Sequence, residues 1–273
     1  MRKYENYKSN LNDLFPLIQN YFSSTQDEET YKNLLYALIY SSKESLSSEA
    51  LKTYYSVNLD KVYNLITPEK ELILLSSGIQ TIGNMLRYEI DIKVIYEHNF
   101  CQKLLNILSN VNDDNTCIEA SWALSKLVSV NQEFIDQFIQ NEGKNVVLKV
   151  FYSNQDEYSK TERVFYIITE LTYLANSKQL QNVFDNVLFN LINKLMVTVQ
   201  PNLLTEILSA ILNIIVTTSK DKEIYDQILA IMNKELIIET IKKLLDLVTN
   251  EDKMYILGQK ILLKIDYESS KAQ

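Results

Sequence analysis

The chain has 273 residues, of which 46% are hydrophobic and 23% charged, and this composition excludes an intrinsically disordered chain. It contains only four glycines and three prolines, which excludes a fold of many strands and tight turns, because such turns depend on both residue types. The formal net charge of −8 argues against direct binding of nucleic acid, which requires Lys and Arg to neutralise phosphates. The charge is compatible with a basic protein or peptide as partner, but many soluble proteins are simply acidic.

The residue types that usually hold metals are scarce. Cys101 and Cys117 are the only cysteines and His98 is the only histidine, too few for a disulfide framework or a classical zinc site. We therefore predict no cofactor, no metal site and reduced thiols, as in a protein of the cytoplasm or the nucleus. The N-terminus has no apolar signal core, and the most apolar stretch, 203–216, contains a glutamate and an asparagine. Since a span needs about 20 apolar residues, we also predict a soluble chain without a membrane partner.

The first predicted elements lie within residues 1–58. Apolar residues spaced three and four apart over 4–21 predict an amphipathic helix, which Pro16 bends or interrupts. The segment 30–40, with the sequence TYKNLLYALIY, predicts a second helix. Neither segment matches the later repeats closely, so we expect an irregular first repeat.

Residues 100–141 show the repeating unit most clearly. Apolar residues on one helical face predict a first helix over 100–111. After a polar corner, Thr116 and Glu119 match the capping-box pattern Thr-x-x-Glu, which predicts that they open a second helix. Asn131 is then expected to cap a third helix, which ends near Gly143.

The second helix of this unit recurs along the chain. Its clear copies begin at Ser76, Cys117, Lys160 and Leu203, and a weaker copy follows over 253–265. At intervals of 42, 44 and 43 residues, one aligned position is occupied by Gln80, Trp122, Tyr166 and Ser209. Three other positions are small or apolar in every copy and lie at i, i+4 and i+7, which predicts one buried stripe. They are occupied by Gly78, Ala120, Val164 and Ile207, by Ile82, Leu124, Ile168 and Ile211, and by Met85, Leu127, Leu171 and Ile214.

Two of these helices resemble a known motif. The sequence EASWALSKLVS at Glu119–Ser129 resembles the third helix of armadillo repeats, especially those of importin-α, and IQTIGNML at Ile79–Leu86 is similar to another such helix. Together with the recurrence, this resemblance implies an all-α fold, an armadillo- or HEAT-like α-solenoid superhelix of about six helical repeats. We predict a single body over 1–273, with an irregular repeat at 1–58, repeats at 59–99, 100–142, 143–187 and 188–232, and a capping repeat at 233–273.

The resemblance also implies where a partner would bind. In importin-α, a Trp and an Asn four residues later line a concave groove on each third helix and hold an extended basic peptide. Carried over to this chain, the Trp position reads Gln80, Trp122, Tyr166 and Ser209, and the Asn position reads Asn84, Lys126, Glu170 and Asn213. No helix contains both halves of the pair, and Lys126 places a cation beside Trp122. The N-terminus also lacks the Arg- and Lys-rich character of an importin-β-binding segment.

Each of these candidates has a structural alternative. Trp122 either stacks on a ligand or is half-buried between neighbouring helices. Asn84 and Asn213 either bind a peptide backbone or are satisfied by a neighbouring helix end or water. Tyr166 and Glu170 share one helical face and could meet a cationic group, or they are an ordinary solvated pair.

The leading functional hypothesis is a non-enzymatic adaptor that holds an extended peptide or protein segment in a concave groove. Within this class, the partner is either a basic peptide, as in importin-α-like nuclear transport, or a larger multiprotein assembly in which the chain is a structural subunit. An enzyme is not expected, because the sequence has no second histidine, no Gly-rich phosphate loop and no nucleophile paired with a base.

Overall fold

The structure is a computed structural model that describes residues 62–67, 70–86, 92–153, 158–198, 201–249 and 252–271, together with scattered positions between 20 and 36. Within these ranges the regular structure is entirely α-helical. The helices are α1 Leu72–Met85, α2 Ile92–Glu97, α3 Phe100–Asn110, α4 Asp114–Val128, α5 Gln132–Gln140, α6 Gly143–Ser153, α7 Tyr158–Leu171, α8 Ser177–Val183, α9 Asn186–Thr198, α10 Pro201–Thr218, α11 Lys222–Lys234, α12 Ile237–Leu245 and α13 Lys253–Ser270. A short helical segment at 62–65 precedes α1.

The chain forms two compact units, residues 1–130 (unit 1) and 131–273 (unit 2). In unit 1, α4 packs against both α1 and α3. The copies of the recurring helix that were predicted from the sequence are α1 and α4 in this unit, and α7 and α10 in unit 2. The weaker copy predicted at 253–265 lies within α13.

Unit 2 consists of three helix triplets: α5–α7, α8–α10 and α11–α13. Equivalent helices of successive triplets pack against each other, so that α5, α8 and α11 form one row and α7, α10 and α13 form another. The middle helices α9 and α12 also pack together. Each triplet therefore completes its core with the triplets beside it, which is the arrangement expected of a repeat protein.

The predicted apolar stripe is confirmed. All twelve residues assigned to the stripe, from Gly78 in α1 to Ile214 in α10, are buried. Fully buried phenylalanines extend the core beyond the stripe on the other helices of the triplets, as Phe100 in α3, Phe134 and Phe138 in α5 and Phe189 in α9 show. The period of the sequence thus identified the face of the recurring helix that is removed from water.

Two predicted helix boundaries are corrected. α4 begins at Asp114, and its N-cap is Asp113, whose Oδ2 accepts hydrogen bonds from the Thr116 amide at 2.8 Å and the Thr116 hydroxyl at 2.6 Å. The capping box predicted for Thr116 and Glu119 is wrong, because the Asp113 carboxylate, three residues before Thr116, already accepts from both its amide and its hydroxyl. The predicted N-cap Asn131 is confirmed, since its Oδ1 accepts from the Phe134 amide at 3.0 Å.

Gly143 does not end a helix. α5 ends at Gln140, Glu142 takes the left-handed conformation with φ 56°, and Gly143 is the first residue of α6. The glycine is required by a close approach, because a Cβ at this position would lie 2.7 Å from Cγ of Phe138. The residue with positive φ is therefore the one before the predicted glycine.

One side chain both caps a helix and joins two triplets. Asn176 and Gln179 form a capping box at the start of α8, with the Asn176 side chain accepting from the Gln179 amide at 3.0 Å and the Gln179 side chain accepting from the Asn176 amide at 2.9 Å. Gln179 Nε2 also donates to Asp136 Oδ1 at 2.7 Å and to the Gln132 carbonyl at 3.0 Å, both in α5.

By length and composition, α10 is the one helix within the described ranges that would suffice to cross a membrane. Half of it is buried inside the structure, where it packs against α7, α9 and α13. Pro201 is its first residue, a position where the missing amide hydrogen costs no helical hydrogen bond.

Several predictions remain untested. Most of the helix predicted over 4–21 and most of the segment 30–40 lie outside the described residues. The division of the chain into repeats also stays a prediction, although two of its boundaries, after 187 and after 232, fall inside the helices α9 and α11.

Candidate functional site

In unit 1, Trp122 is half-buried on the surface of α1. A Cβ added to Gly83 would lie 2.6 Å from Cε3 and 2.8 Å from Cη2 of the indole, so the ring rests directly on the glycine backbone. This contact joins α4 to α1 at a position where any larger residue would displace the ring. The helix-packing alternative therefore accounts for one side of Trp122.

The polar candidates of unit 1 are also engaged within the fold. Gln80 Nε2 donates to Glu119 Oε1 at 2.6 Å, a bond between α1 and α4 that uses the side chain of the predicted capping residue. Asn84 is only 3% exposed, so its amide does not project from the surface. Lys126 is half-buried at the C-terminal end of α4, where a cation is favoured by the helix dipole.

In unit 2, the corresponding positions are all half-buried, and carboxylates lie beside the tyrosine among them. Tyr166 is half-buried, and its hydroxyl donates to Glu162 Oε1 at 3.3 Å, one turn earlier in α7. The predicted partner Glu170 lies one turn later, also half-buried. Tyr173 follows the end of α7 and is 54% exposed.

The two tyrosines are linked through Glu206 of α10. Burial, and then the carboxylates of Glu162 and Glu206, raise the pKa of Tyr166. Partial burial, followed by the carboxylates of Glu206 and Glu170, raises the pKa of Tyr173. Both phenols therefore stay protonated at neutral pH and present O–H groups beside negative charge. We call this group of Tyr166, Tyr173, Glu162, Glu170 and Glu206 the tyrosine–carboxylate surface.

The two remaining candidates lie on α10. Ser209 is half-buried, and its hydroxyl donates to the Thr205 carbonyl at 2.9 Å in the same helix. Asn213 is half-buried, and its Nδ2 donates to Thr172 Oγ1 at 3.4 Å, immediately after the end of α7. This is the contact with a neighbouring helix end that was one of the alternatives predicted for Asn213.

Several solved structures have folds similar to that of the chain at less than 20% sequence identity. A designed armadillo repeat protein in complex with the peptide (KR)4 gives a TM-score of 0.76 at 15% identity, over 92% of this chain and 98% of that chain. A second designed armadillo repeat protein gives a TM-score of 0.75 at 14% identity, over 92% and 99%.

The chain has the armadillo fold. A natural example comes from a structure concerning a phosphorylation switch in the interaction between cadherin and beta-catenin, with a TM-score of 0.67 at 14% identity. The match covers 96% of this chain and 48% of that one, so the chain spans about half the length of that structure. No protein-family model and no curated protein matches the sequence. The finer resemblance to importin-α therefore stays a prediction.

Within this armadillo fold, sequence reasoning missed Tyr173 and Glu206. Glu206 shares its repeat position with Glu119, three residues before the Trp position of its helix. That shared acidic position could have been read from the aligned copies. Tyr173 had no such signal, because it lies beyond the end of its helix, where the helical period no longer applies.

The other chemical groups of the armadillo repeats are packed within the fold. Burial raises the pKa of Cys101 to about 12, which keeps the thiol neutral and unreactive at physiological pH. The Cys117 thiol contacts the Val111 carbonyl at 3.1 Å. His98 packs against the ring of Tyr63, with centroids 4.6 Å apart. Across the described ranges, no three His, Cys, Asp or Glu side chains are grouped to hold a metal ion.

Proposed function

We propose that the chain is a non-enzymatic scaffold that holds an extended peptide or protein segment against its long helices, and that the tyrosine–carboxylate surface accepts a cationic side chain of this partner. The observation that carries the proposal is that the carboxylate of Glu206 in α10 is close enough to Tyr166 and Tyr173 to raise the pKa of both phenols. An aromatic face attracts a cation, and carboxylates beside it supply charge and hydrogen-bond acceptors.

The chemistry of this surface favours Lys or Arg over other side chains. Three carboxylates, Glu162, Glu170 and Glu206, act on two tyrosines that are only partly exposed. Partial burial strengthens the attraction for a cation, because the effective dielectric constant is lower than that of bulk water. The net charge of −8 adds a long-range attraction for a basic segment.

The fold supports a binding role. Stacked repeats form a rigid support, so the partner bears most of the ordering cost when it binds. A similar solved structure holds the peptide (KR)4, which is a basic segment of the proposed kind. A protein that acts in the cytoplasm or the nucleus fits this proposal.

Importin-α-like cargo recognition is a narrower form of the same proposal. It requires Trp–Asn pairs on successive helices, and none of the described long helices contains both members. In unit 1, Trp122 packs on Gly83 and Asn84 is only 3% exposed. These two side chains are therefore less accessible to a bound peptide. We therefore place the cationic contact in unit 2, and a role as a subunit of a larger assembly remains the second proposal.

The proposal is tested with a fluorescent (KR)4 peptide, followed by anisotropy against the full chain. We expect a Kd below about 100 µM at low salt and a marked weakening at about 0.5 M salt, because exposed charge pairs are screened. Glu206→Lys, which reverses the charge that acts on both tyrosines, should abolish the binding. A neutral Gly–Ser peptide of the same length is the control.

Two results would contradict the proposal. The first is undetectable binding of the basic peptide at about 100 µM. The second is binding that is equally strong with Glu206→Lys, which would place the contact elsewhere. A constitutive partner that co-purifies with the native protein and is retained by Glu206→Lys would favour the assembly-subunit role.

A further inference from the structure

The residues of the last long helix, α13, can be aligned with the repeat positions of the earlier long helices. A Cβ on Gly258 would lie 2.8 Å from Leu245 Cδ2 in α12, the helix before it. Gly78 of α1 stands in the same relation to the helical segment before it, with Leu65 Cβ 3.4 Å away. Gly258 therefore takes the place of Gly78 in the final repeat. Residues two and six positions later then correspond to Gln80 and Asn84, and they are lysines 260 and 264.

These two lysines belong to a stripe that runs along α13. Its members are Lys253, Lys260, Lys264 and Lys271. Their spacings of seven, four and seven residues place all four on one helical face. The first two are exposed, and the side chains of the last two are 28% and 55% exposed. We call them the lysine stripe.

The stripe carries more positive charge than its own helix neutralises. Glu268 accepts from Lys264 at 2.6 Å and lies 3.6 Å from Lys271, so one carboxylate serves two ammonium groups. Lys271 also lies 4.2 Å from the ring centroid of Tyr267. Among the long helices of unit 2, α7 and α10 thus present the acidic residues Glu170 and Glu206, whereas α13 presents the lysine stripe.

We propose that the lysine stripe binds acidic residues of the same partner segment whose cationic side chain meets the tyrosine–carboxylate surface. This inference rests on the proposed function and specifies the partner: a segment with basic residues at one end and acidic residues at the other. Such a charge order would also fix the direction in which the segment lies across unit 2.

The dimensions fit a short segment. α7 packs against α10, and α10 packs against α13. Packed helices lie about 8–10 Å apart, so the stripe is roughly 10–20 Å from the tyrosine–carboxylate surface. An extended chain advances about 3.3 Å per residue, and the basic and acidic groups should therefore be about three to six residues apart.

An acidic protein segment fits the stripe better than nucleic acid does. Asp252, Asp266 and Glu268 lie on or next to the same helix, and the whole chain has a net charge of −8. A phosphate backbone, with one charge per nucleotide, would be repelled by these groups over most of its length. A segment with a few acidic residues can meet the lysines and avoid the carboxylates.

The test compares three peptides: KRKRSGSGSGSG, KRKRSGSGEEEE and EEEESGSGKRKR. We expect one of the two mixed-charge peptides to bind about fivefold more tightly than the neutral-tailed one, the sum of two exposed ion pairs of about 0.5 kcal/mol each. The other order should gain nothing. Because acidic tails lower the attraction to an acidic protein, a gain is diagnostic of a local basic contact.

Substitutions in the lysine stripe test whether these lysines cause the tighter binding of the mixed-charge peptide. Lys260→Glu and Lys253→Glu should each remove it and leave the neutral-tailed peptide bound as before. The matched control is Lys242→Glu on α12, also an exposed lysine on a helix of the last repeat, which should retain the gain. Circular dichroism confirms that each variant is folded.

The outcomes separate the two proposals. If the neutral-tailed peptide binds and neither acidic tail adds affinity, or if the gain survives Lys260→Glu, the lysine stripe is not a partner site and the proposed function stands. If no peptide binds, the proposed function fails and this inference fails with it. Binding of a single-stranded oligonucleotide that is tight and lost in Lys260→Glu would overturn the assignment to an acidic protein segment.

Discussion

The same repeat positions are used differently in the two units. In unit 1, the aligned residues contact each other: Trp122 covers Gly83, and Gln80 bonds to Glu119. In unit 2, Tyr166 is half-buried beside carboxylates, and the carboxylate of Glu206 acts on two phenols. The helical period places a residue on a face, but the neighbouring helix decides whether the side chain packs there or remains available to a partner.

Gly83 is the residue that makes this difference in unit 1. Without a side chain, it leaves room for the broad indole of Trp122 to lie flat on the helix. The equivalent positions in α4, α7 and α10 are Ser125, Thr169 and Leu212, which all carry side chains. An aromatic ring on the next repeat cannot approach such positions as closely. The close contact between Trp122 and α1 therefore depends on one glycine.

The largest expected effect comes from Gly83→Ala. The new methyl group would overlap the Trp122 ring and should lower the free energy of unfolding of unit 1 by about 2 kcal/mol, as overpacked sites do. Trp122 is the only tryptophan in the chain, so its fluorescence during urea unfolding reports on this unit. The emission of the folded variant should also shift to longer wavelength.

Gly78→Ala is the matched control in the same helix. Its Cβ would lie 3.4 Å from Ile66 Cγ1, an ordinary contact distance, and alanine favours a helix over glycine by about 1 kcal/mol. We expect no loss of stability from this substitution. Equal destabilisation by the two alanines would show that the Trp122–Gly83 contact does not distinguish unit 1.

The next effect concerns binding. Glu206→Gln should weaken the (KR)4 peptide about tenfold, equal to about 1.4 kcal/mol, because it removes the charge shared by Tyr166 and Tyr173. Glu119→Gln, at the same repeat position in unit 1, should change the affinity by less than about twofold, since that carboxylate already accepts from Gln80. Anisotropy titrations measure both, and a larger loss from Glu119→Gln would reverse the comparison.

A smaller effect is expected from Tyr173→Phe. It removes one hydroxyl and retains the ring, so the peptide should bind about threefold more weakly, in line with the loss of one exposed hydrogen bond. Thr217→Val, which removes a half-buried hydroxyl elsewhere in unit 2, is the control and should leave the affinity unchanged. An unaltered Kd with Tyr173→Phe would show that the hydroxyl takes no part in binding.

The smallest effect tests whether unit 2 also depends on charge for its stability. Burial opposes ionisation of Asp185, but hydrogen bonds from Lys144 and the Leu188 amide outweigh it, and they lower the pKa of this carboxyl below 3.8. Lys144→Met should cost less than about 1 kcal/mol at pH 7, because the pair is partly exposed.

The pH dependence has a definite sign. The folded pKa of Asp185 is lowered, so the stabilisation is present above pH 3.8 and is lost as the pH falls through the folded pKa. The difference between wild type and Lys144→Met should therefore disappear in acid. Lys178→Met, at an exposed lysine of α8, should show no such difference, and a persistent difference at low pH would exclude the ion pair as its cause.

The sequence predicted the recurring helix and its buried face because the apolar positions repeat at a fixed interval. Ile82, Leu124, Ile168 and Ile211 are all buried as expected. Helix starts were predicted less well, since several polar residues near a corner compete to cap the same amides. Asp113 took the role that Thr116 was expected to fill.

The candidate site was only partly predictable. Contacts within one helix follow from its period, but Trp122 on Gly83 is a contact between repeats, 39 residues apart, and depends on how two helices approach each other. Tyr173 lies past a helix end, where no period applies. Asn213 was correctly expected to need a partner, but only the structure identifies Thr172.

Gln179 has a consequence for how unit 2 assembles. Its side chain completes the capping box of α8 with the N-cap Asn176 and also binds Gln132 and Asp136 of the preceding triplet. We therefore expect nucleation of this seven-residue helix to be coupled to its docking onto the neighbour, since so short a helix does not persist alone in water. Unit 2 should therefore fold from one triplet to the next. In a chain cut between α7 and α8, the second fragment would lack the triplet against which α8 packs.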